Sequence, residues 1–185
     1  QGGSSLEMLQ ALGLPTVAGD ITLHYSPSAH DAARSYADTL GKAVAFFRTE
    51  ADWTEPVVMA VLSADDYPRV TGIPYPVPHA ERSTGLVVMP DSIEAFPGFD
   101  RWPFDAMALN ADLTAHEIGH VIAWQTGIWS SSHWVNELVA DIFLAGYLHA
   151  IRPDDRSLLD GVPPGFDDAG KVRSLADLDL AYAGV

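Results

Sequence analysis

Residues 116–141 read HEIGHVIAWQTGIWSSSHWVNELVAD, and the second half of the chain is organised around them. The stretch lies in a helical pattern that begins at Asp105, an N-cap residue type, and runs to about Gln125, with Gly127 just beyond as a terminator. A second helix is predicted from about residue 134 to 150, stopping before Pro153, and a last, weaker one over roughly 168–181. The turn at 127–132 is short enough to bring the second helix back alongside the first.

Outward from there, the first half alternates strand-like and helix-like segments. Residues 21–26 alternate apolar and polar with period two, as a half-buried strand does. Ala33, Tyr36, Ala37, Leu40, Val44 and Phe47 then recur at helical spacing over 29–48. Residues 57–62 form a continuous, β-branched apolar run, the mark of a central strand. A short helix is expected after Ser63, ending near Gly72, followed by a proline-rich loop over 73–78. Residues 85–89 are the third strand candidate, closed by Pro90, and 96–104 an aromatic, proline-rich loop. The expected fold is a single α+β domain over 1–185: a small, few-stranded mixed sheet packed on two late helices, with residues 1–15 as a loose N-terminal tail.

Ten Lys and Arg against 25 Asp and Glu give a net charge of -15, which argues against nucleic acid and against anionic membrane surfaces as partners. No apolar run is long enough for a membrane helix, so no membrane insertion is expected. There is no cysteine, so any metal must be held by His and carboxylate. The first residue, Gln1 rather than Met, implies a removed segment, and a secreted or extracytoplasmic protein is the favoured expectation.

The chemistry resides in the quoted stretch. His116 and His120, four apart on a helix, sit one turn above each other and can aim nitrogens at one zinc ion. Glu117, one residue round from His116, overhangs the open position, where it can take a proton from water. Glu137, seventeen residues after His120, can be the third ligand, and three protein ligands plus water make a catalytic rather than structural site. Asp141 falls one turn after Glu137 and can accept the remaining N–H of a ligand histidine; Asn136 is a second candidate for that supporting role. Gly119 either admits another backbone near the metal or is simply tolerated. His24, His30 and His79 read as ordinary surface or strand residues.

His116-Glu117-Xaa-Xaa-His120 followed by Asn136-Glu137-Xaa-Xaa-Xaa-Asp141 resembles the gluzincin zinc metallopeptidases, the thermolysin-like and peptidase MA-like families. Trp134-Val135-Asn136-Glu137 is similar to the stretch around the glutamate ligand of gluzincin aminopeptidases. The resemblance is specific over 105–148 and only architectural before that. It implies a zincin-like fold, one zinc held by His116, His120 and Glu137, and Glu117 as general base. It further implies an edge strand that binds extended peptide, for which Gly85, Leu86 and Val87 are the candidates. Those families also carry an oxyanion-stabilising Tyr or His; here the candidates are Tyr182, Tyr147 and His133, with His149 behind them.

The function expected is zinc-dependent hydrolysis of peptide or protein substrates, endopeptidase by default. The alternatives are a catalytically weak zinc- or peptide-binding module, and hydrolysis of a non-peptide amide or ester.

Overall fold

The structure, a computed structural model, describes residues 4–92 and 106–154, with the backbone alone for 106–112. The aromatic stretch 96–104, the Asp105 cap, the last helix and Tyr182 lie outside the described residues.

Helix α1 spans Ser5–Leu12, so residues 4–15 are not the loose tail the small polar residues at the start implied. Ser4 and Glu7 form a reciprocal capping box, which satisfies two otherwise unpaired N–H groups. Leu6, Leu9 and Leu12 supply the apolar stripe, and Leu9 is buried.

The remaining described elements are β1 (Thr16–Val17), β2 (Ile21–Tyr25), α2 (His30–Glu50), β3 (Val57–Leu62), α3 (Tyr67–Thr71), β4 (His79–Glu81), β5 (Leu86–Pro90), α4 (Ala106–Gln125) and α5 (His133–Ile151). The strands form one mixed sheet in the order β1-β2-β3-β5-β4. β2, β3 and β5 run parallel at its centre, and the short strands β1 and β4 are antiparallel to their neighbours at the two edges. Parallel strands require crossovers, and α2 is the crossover between β2 and β3.

Both faces of the sheet are covered, which is why residues 57–62 are apolar without alternation. On one face α2, α4 and α5 bury Tyr36, Leu40, Phe47, Ile118, Ile122 and Tyr147 against Met59, Val61, Val87 and Met89. On the other, α1 and α3 bury Leu9, Tyr67 and Val70 against Ala60, Leu62, Leu86 and Val88.

The sequence places β5 at the sheet edge; the structure does not. β5 is paired on one side by β3 and on the other by β4, with Ala80 opposite Val87 and Glu81 opposite Leu86. The backbone of Leu86 and Val87 is therefore taken up inside the sheet, and Gly85 belongs to the turn that enters it. The edge on that side is β4, which follows the proline-rich loop and is too short to show any periodicity.

Candidate metal centre

Helix α4 lies over the sheet through Ala115, Ile118, Val121 and Ile122, all buried. That packing turns His116, Glu117 and His120 toward α5. Gly127 ends α4 in the left-handed conformation (φ 79°), and the Ile128 N–H returns to the Ala123 carbonyl at 2.7 Å. The Asn136 amide then grips the connecting loop at both backbone groups of Ser130: its Oδ1 accepts from the Ser130 N–H (2.8 Å), and its Nδ2 donates to the Ser130 carbonyl (3.0 Å). Asn136 thus braces the loop that sets the start of α5.

Gly119 is explained by the same junction. A Cβ there would lie 2.9 Å from the Cβ of Phe143 and 3.2 Å from the Ala140 backbone, so only glycine lets α5 approach this closely. Of its two readings, the close backbone approach is the one the structure bears out.

At this junction three side chains converge. His116 Nε2 and His120 Nε2 lie 3.2 Å apart, His116 Nε2 is 3.3 Å from Glu137 Oε2, and His120 Nε2 is 3.5 Å from Glu137 Oε1. His116 Nδ1 is 2.9 Å from Asp141 Oδ1, so the neutral form of that ring, the one able to bind a metal, keeps its proton on Nδ1 and turns the lone pair of Nε2 toward Glu137 and His120. Acceptors facing one another at such distances want a cation between them. Two ligand atoms, each about 2.0–2.1 Å from a tetrahedral zinc, would be about 3.3 Å apart, so the donor set fits such an ion. His116, His120 and Glu137 could hold a metal ion, and they are the group of that kind among the described residues.

The electrostatics of the metal-free centre follow from the packing. Burial works against a charged His116, but the hydrogen bonds its ring donates to Asp141 and Glu137, and the nearby charge of Glu117, outweigh it and push the imidazole up to about 10. Burial opposes the charge of Glu137 too, while His116 and His120 hold it well below the usual carboxylate range. Glu117, 6% exposed, is raised by burial, partly offset by the two histidines.

The other candidates disperse. Tyr147 is buried in the core, edge-on to Phe46 of α2 at 6.2 Å. His133 sits one turn before Glu137, with Nδ1 3.2 Å from Oε1, so it touches the ligand set. His149 is exposed at the far end of α5.

Three features had escaped the sequence reading. Trp124 stacks on His120, 5.5 Å between centroids at 19°, one further turn along α4. His79, read as ordinary, lies on the edge strand with Nδ1 2.8 Å from the Tyr67 hydroxyl, and its charge is felt at Glu117. Arg82 lies over the ring of Trp129. The spacing of Trp124 to His120 was a usable signal; the other two join segments far apart in sequence.

No family model matches the chain, and no curated protein matches it.

Proposed function

We propose that this chain is a zinc metallopeptidase of gluzincin type. The observation that carries the reading is the convergence of His116, His120 and Glu137 at the spacing of a tetrahedral ion, with the buried carboxylate of Glu117 beside them. Bound zinc supplies Lewis acidity toward the scissile carbonyl and acidifies the attacking water. Glu117 accepts the proton from that water and hands it on to the leaving amine; a carboxylate raised by burial is the better base for this. Asp141 holds His116 in one tautomer. β4 is open along one edge among the described strands, and its main chain can add an extended peptide as a further strand.

The reading is tested by elemental analysis of wild type beside Glu137→Ala, then by peptide-library hydrolysis with wild type and Glu117→Gln. One zinc per chain, largely lost in Glu137→Ala, with hydrolysis abolished in Glu117→Gln, is the expected result. A folded wild type that takes up no zinc when it is supplied overturns it.

The second reading, a binding module that keeps zinc without efficient hydrolysis, draws on one observation. Of the described oxyanion candidates, Tyr147 is in the core and His133 is engaged with Glu137. Zinc uptake without hydrolysis of any library peptide decides for it.

A further inference from the structure

The chain is strongly acidic, and three of its described cations are answered by aspartates: Lys42 by Asp38 at 2.6 Å, Arg69 by Asp66 at 2.7 Å, Arg48 by Asp20 at 3.8 Å. Arg82 is held differently. It is exposed in the turn that follows β4, and its Cζ lies 3.5 Å from the centroid of the Trp129 ring. The neighbouring carboxylate, Glu81, is already engaged: Ser5 Oγ donates to Oε1, and Thr84 Oγ1 donates to Oε2 at 3.0 Å. A guanidinium whose carbon sits over an indole ring carries its N–H groups around the rim of its own plane, where they can meet a bidentate carboxylate.

The stage under it is braced. Trp129 adjoins Ser130, whose two backbone groups are both held by Asn136, the neighbour of the ligand Glu137. Arg82 is thereby tied to the rim of the metal centre through Trp129, Ser130 and Asn136.

Its place along the cleft follows from register. Gly85 is pressed against the last turns of α4, where an added Cβ would meet Gln125 Nε2 at 3.3 Å and Val121 Cγ1 at 3.6 Å. Two residues up β5, about 7 Å at strand rise, is Val87, opposite Ala80 of the edge strand. The same distance back along α4 is between four and five residues at about 1.5 Å each, which is the level of His116 and His120. With α4 running back along β5, this register puts Ala80 near the level of His116 and His120, and Arg82, two residues on in the turn after β4, one or two substrate residues from the scissile bond.

We propose that Arg82, laid on Trp129, is a specificity determinant that binds a carboxylate of the peptide lying along β4, either an acidic side chain or the C-terminal carboxylate. The inference rests on the peptidase reading for the substrate it names. It runs against the overall charge: with a net -15, the chain's field repels acidic peptides, so without Arg82 the preference reverses.

The test measures equilibrium binding by calorimetry in the Glu117→Gln background, zinc-loaded and zinc-free. The probes are hexapeptides of Ala and Leu blocked at both ends, with one Glu scanned through the positions, their Gln counterparts, and the same neutral peptide with a free C-terminus. At one position, or at the free C-terminus, the carboxylate is expected to bind about tenfold tighter than its neutral partner, the scale of a charge-assisted bidentate pair. Arg82→Gln should abolish or reverse that preference, Arg82→Lys should restore part of it, and Trp129→Leu should weaken it. Which probe responds distinguishes side chain from terminus. Equal binding of acidic and neutral peptides, a preference unchanged in Arg82→Gln, or no binding at all overturns the proposal. Library hydrolysis by wild type with no preference that depends on Arg82 leaves the peptidase reading standing and this one fallen. Carboxylate binding through Arg82 in a protein that hydrolyses nothing does the opposite.

Discussion

The two faces of the sheet are held by different physics. The α1 and α3 side is an apolar seam, with Leu9, Tyr67 and Val70 against Ala60, Leu62, Leu86 and Val88. On the other side, next to an apolar layer, the α4–α5 junction gathers two histidines and two carboxylates, with His120 and Glu117 buried and His116 and Glu137 half-buried. Apolar burial stabilises at every contact, whereas buried charges are costly to desolvate and recover that cost only when every one is paired. One face holds the fold by apolar contact alone, and the other carries a group that could hold a cation and would gain most from one.

Glu117→Gln tests the polar face most severely. It should lower kcat by roughly 10²–10⁴-fold, the usual worth of a general base, while zinc content stays at one per chain. A loss of zinc equal to the loss of rate would show Glu117 to be structural.

Leu9→Ala belongs to the other face. It should cost about 2–5 kcal/mol of unfolding free energy, as buried leucine truncations do, with zinc affinity unchanged. Denaturant melts with and without zinc read both. If zinc affinity falls as well, the two faces are coupled and the contrast is weaker than drawn.

Asp141→Asn should keep the fold and reduce zinc affinity by about ten- to a hundredfold, because the acceptor that holds His116 Nδ1 loses its charge. Competition with a chelator measures it. Gly119→Ala, next in size, forces a Cβ against Ala140 and Phe143 and should cost about 1–3 kcal/mol, loosening zinc at the same time because α5 carries Glu137. An alanine variant that melts and binds zinc like wild type would remove the close approach as an explanation.

The smallest effect is a proton count. His116 in the metal-free fold is raised from 6.5 to about 10, so it carries a proton at pH 7. Its contribution to stability is fully present below pH 6.5 and is lost as the pH rises through about 10. Glu137, depressed, contributes above its ordinary 4.5 and loses that contribution as the pH falls below it. Zinc must displace the His116 proton, so zinc titrations in buffers of different ionisation enthalpy should show one proton released per ion, and affinity should rise with pH. Zero protons released would mean His116 is neutral before metal arrives.

What was legible in the sequence divides along similar lines. The α4–α5 stretch could be read because both helices are long and the ligand spacing obeys the helical repeat: His116 and His120, then Glu137 and Asp141, fall one turn apart on their own helices. β3 and β5 were visible as continuous apolar runs, as central strands are, and β2 by its period-two alternation. α1 was overlooked although its capping box and its leucines at every third position were present; the small polar residues before them drew the reading to a tail. β4, three residues long, owes its existence to pairing with β5, which no local pattern records. Missing it put the sheet edge one strand too far in. Tyr147 was a candidate only through the family resemblance, which does not say that Phe46 and Phe47 of α2 pack against it.

The helical hairpin also has a place in the order of folding. His116, His120, Glu137 and Asp141 lie within 26 consecutive residues, whereas the sheet must join Ile21 to Val57 across the whole of α2. Loop-closure entropy grows with the logarithm of the intervening chain, and non-local strand pairing is the slow class of event. The segment that carries the proposed cation site is thus the local, fast-closing part of the molecule, and the parallel sheet is the part that waits. Zinc present during refolding acts on the early unit, so it should quicken refolding as well as slow unfolding, and stopped-flow traces with and without the ion separate the two.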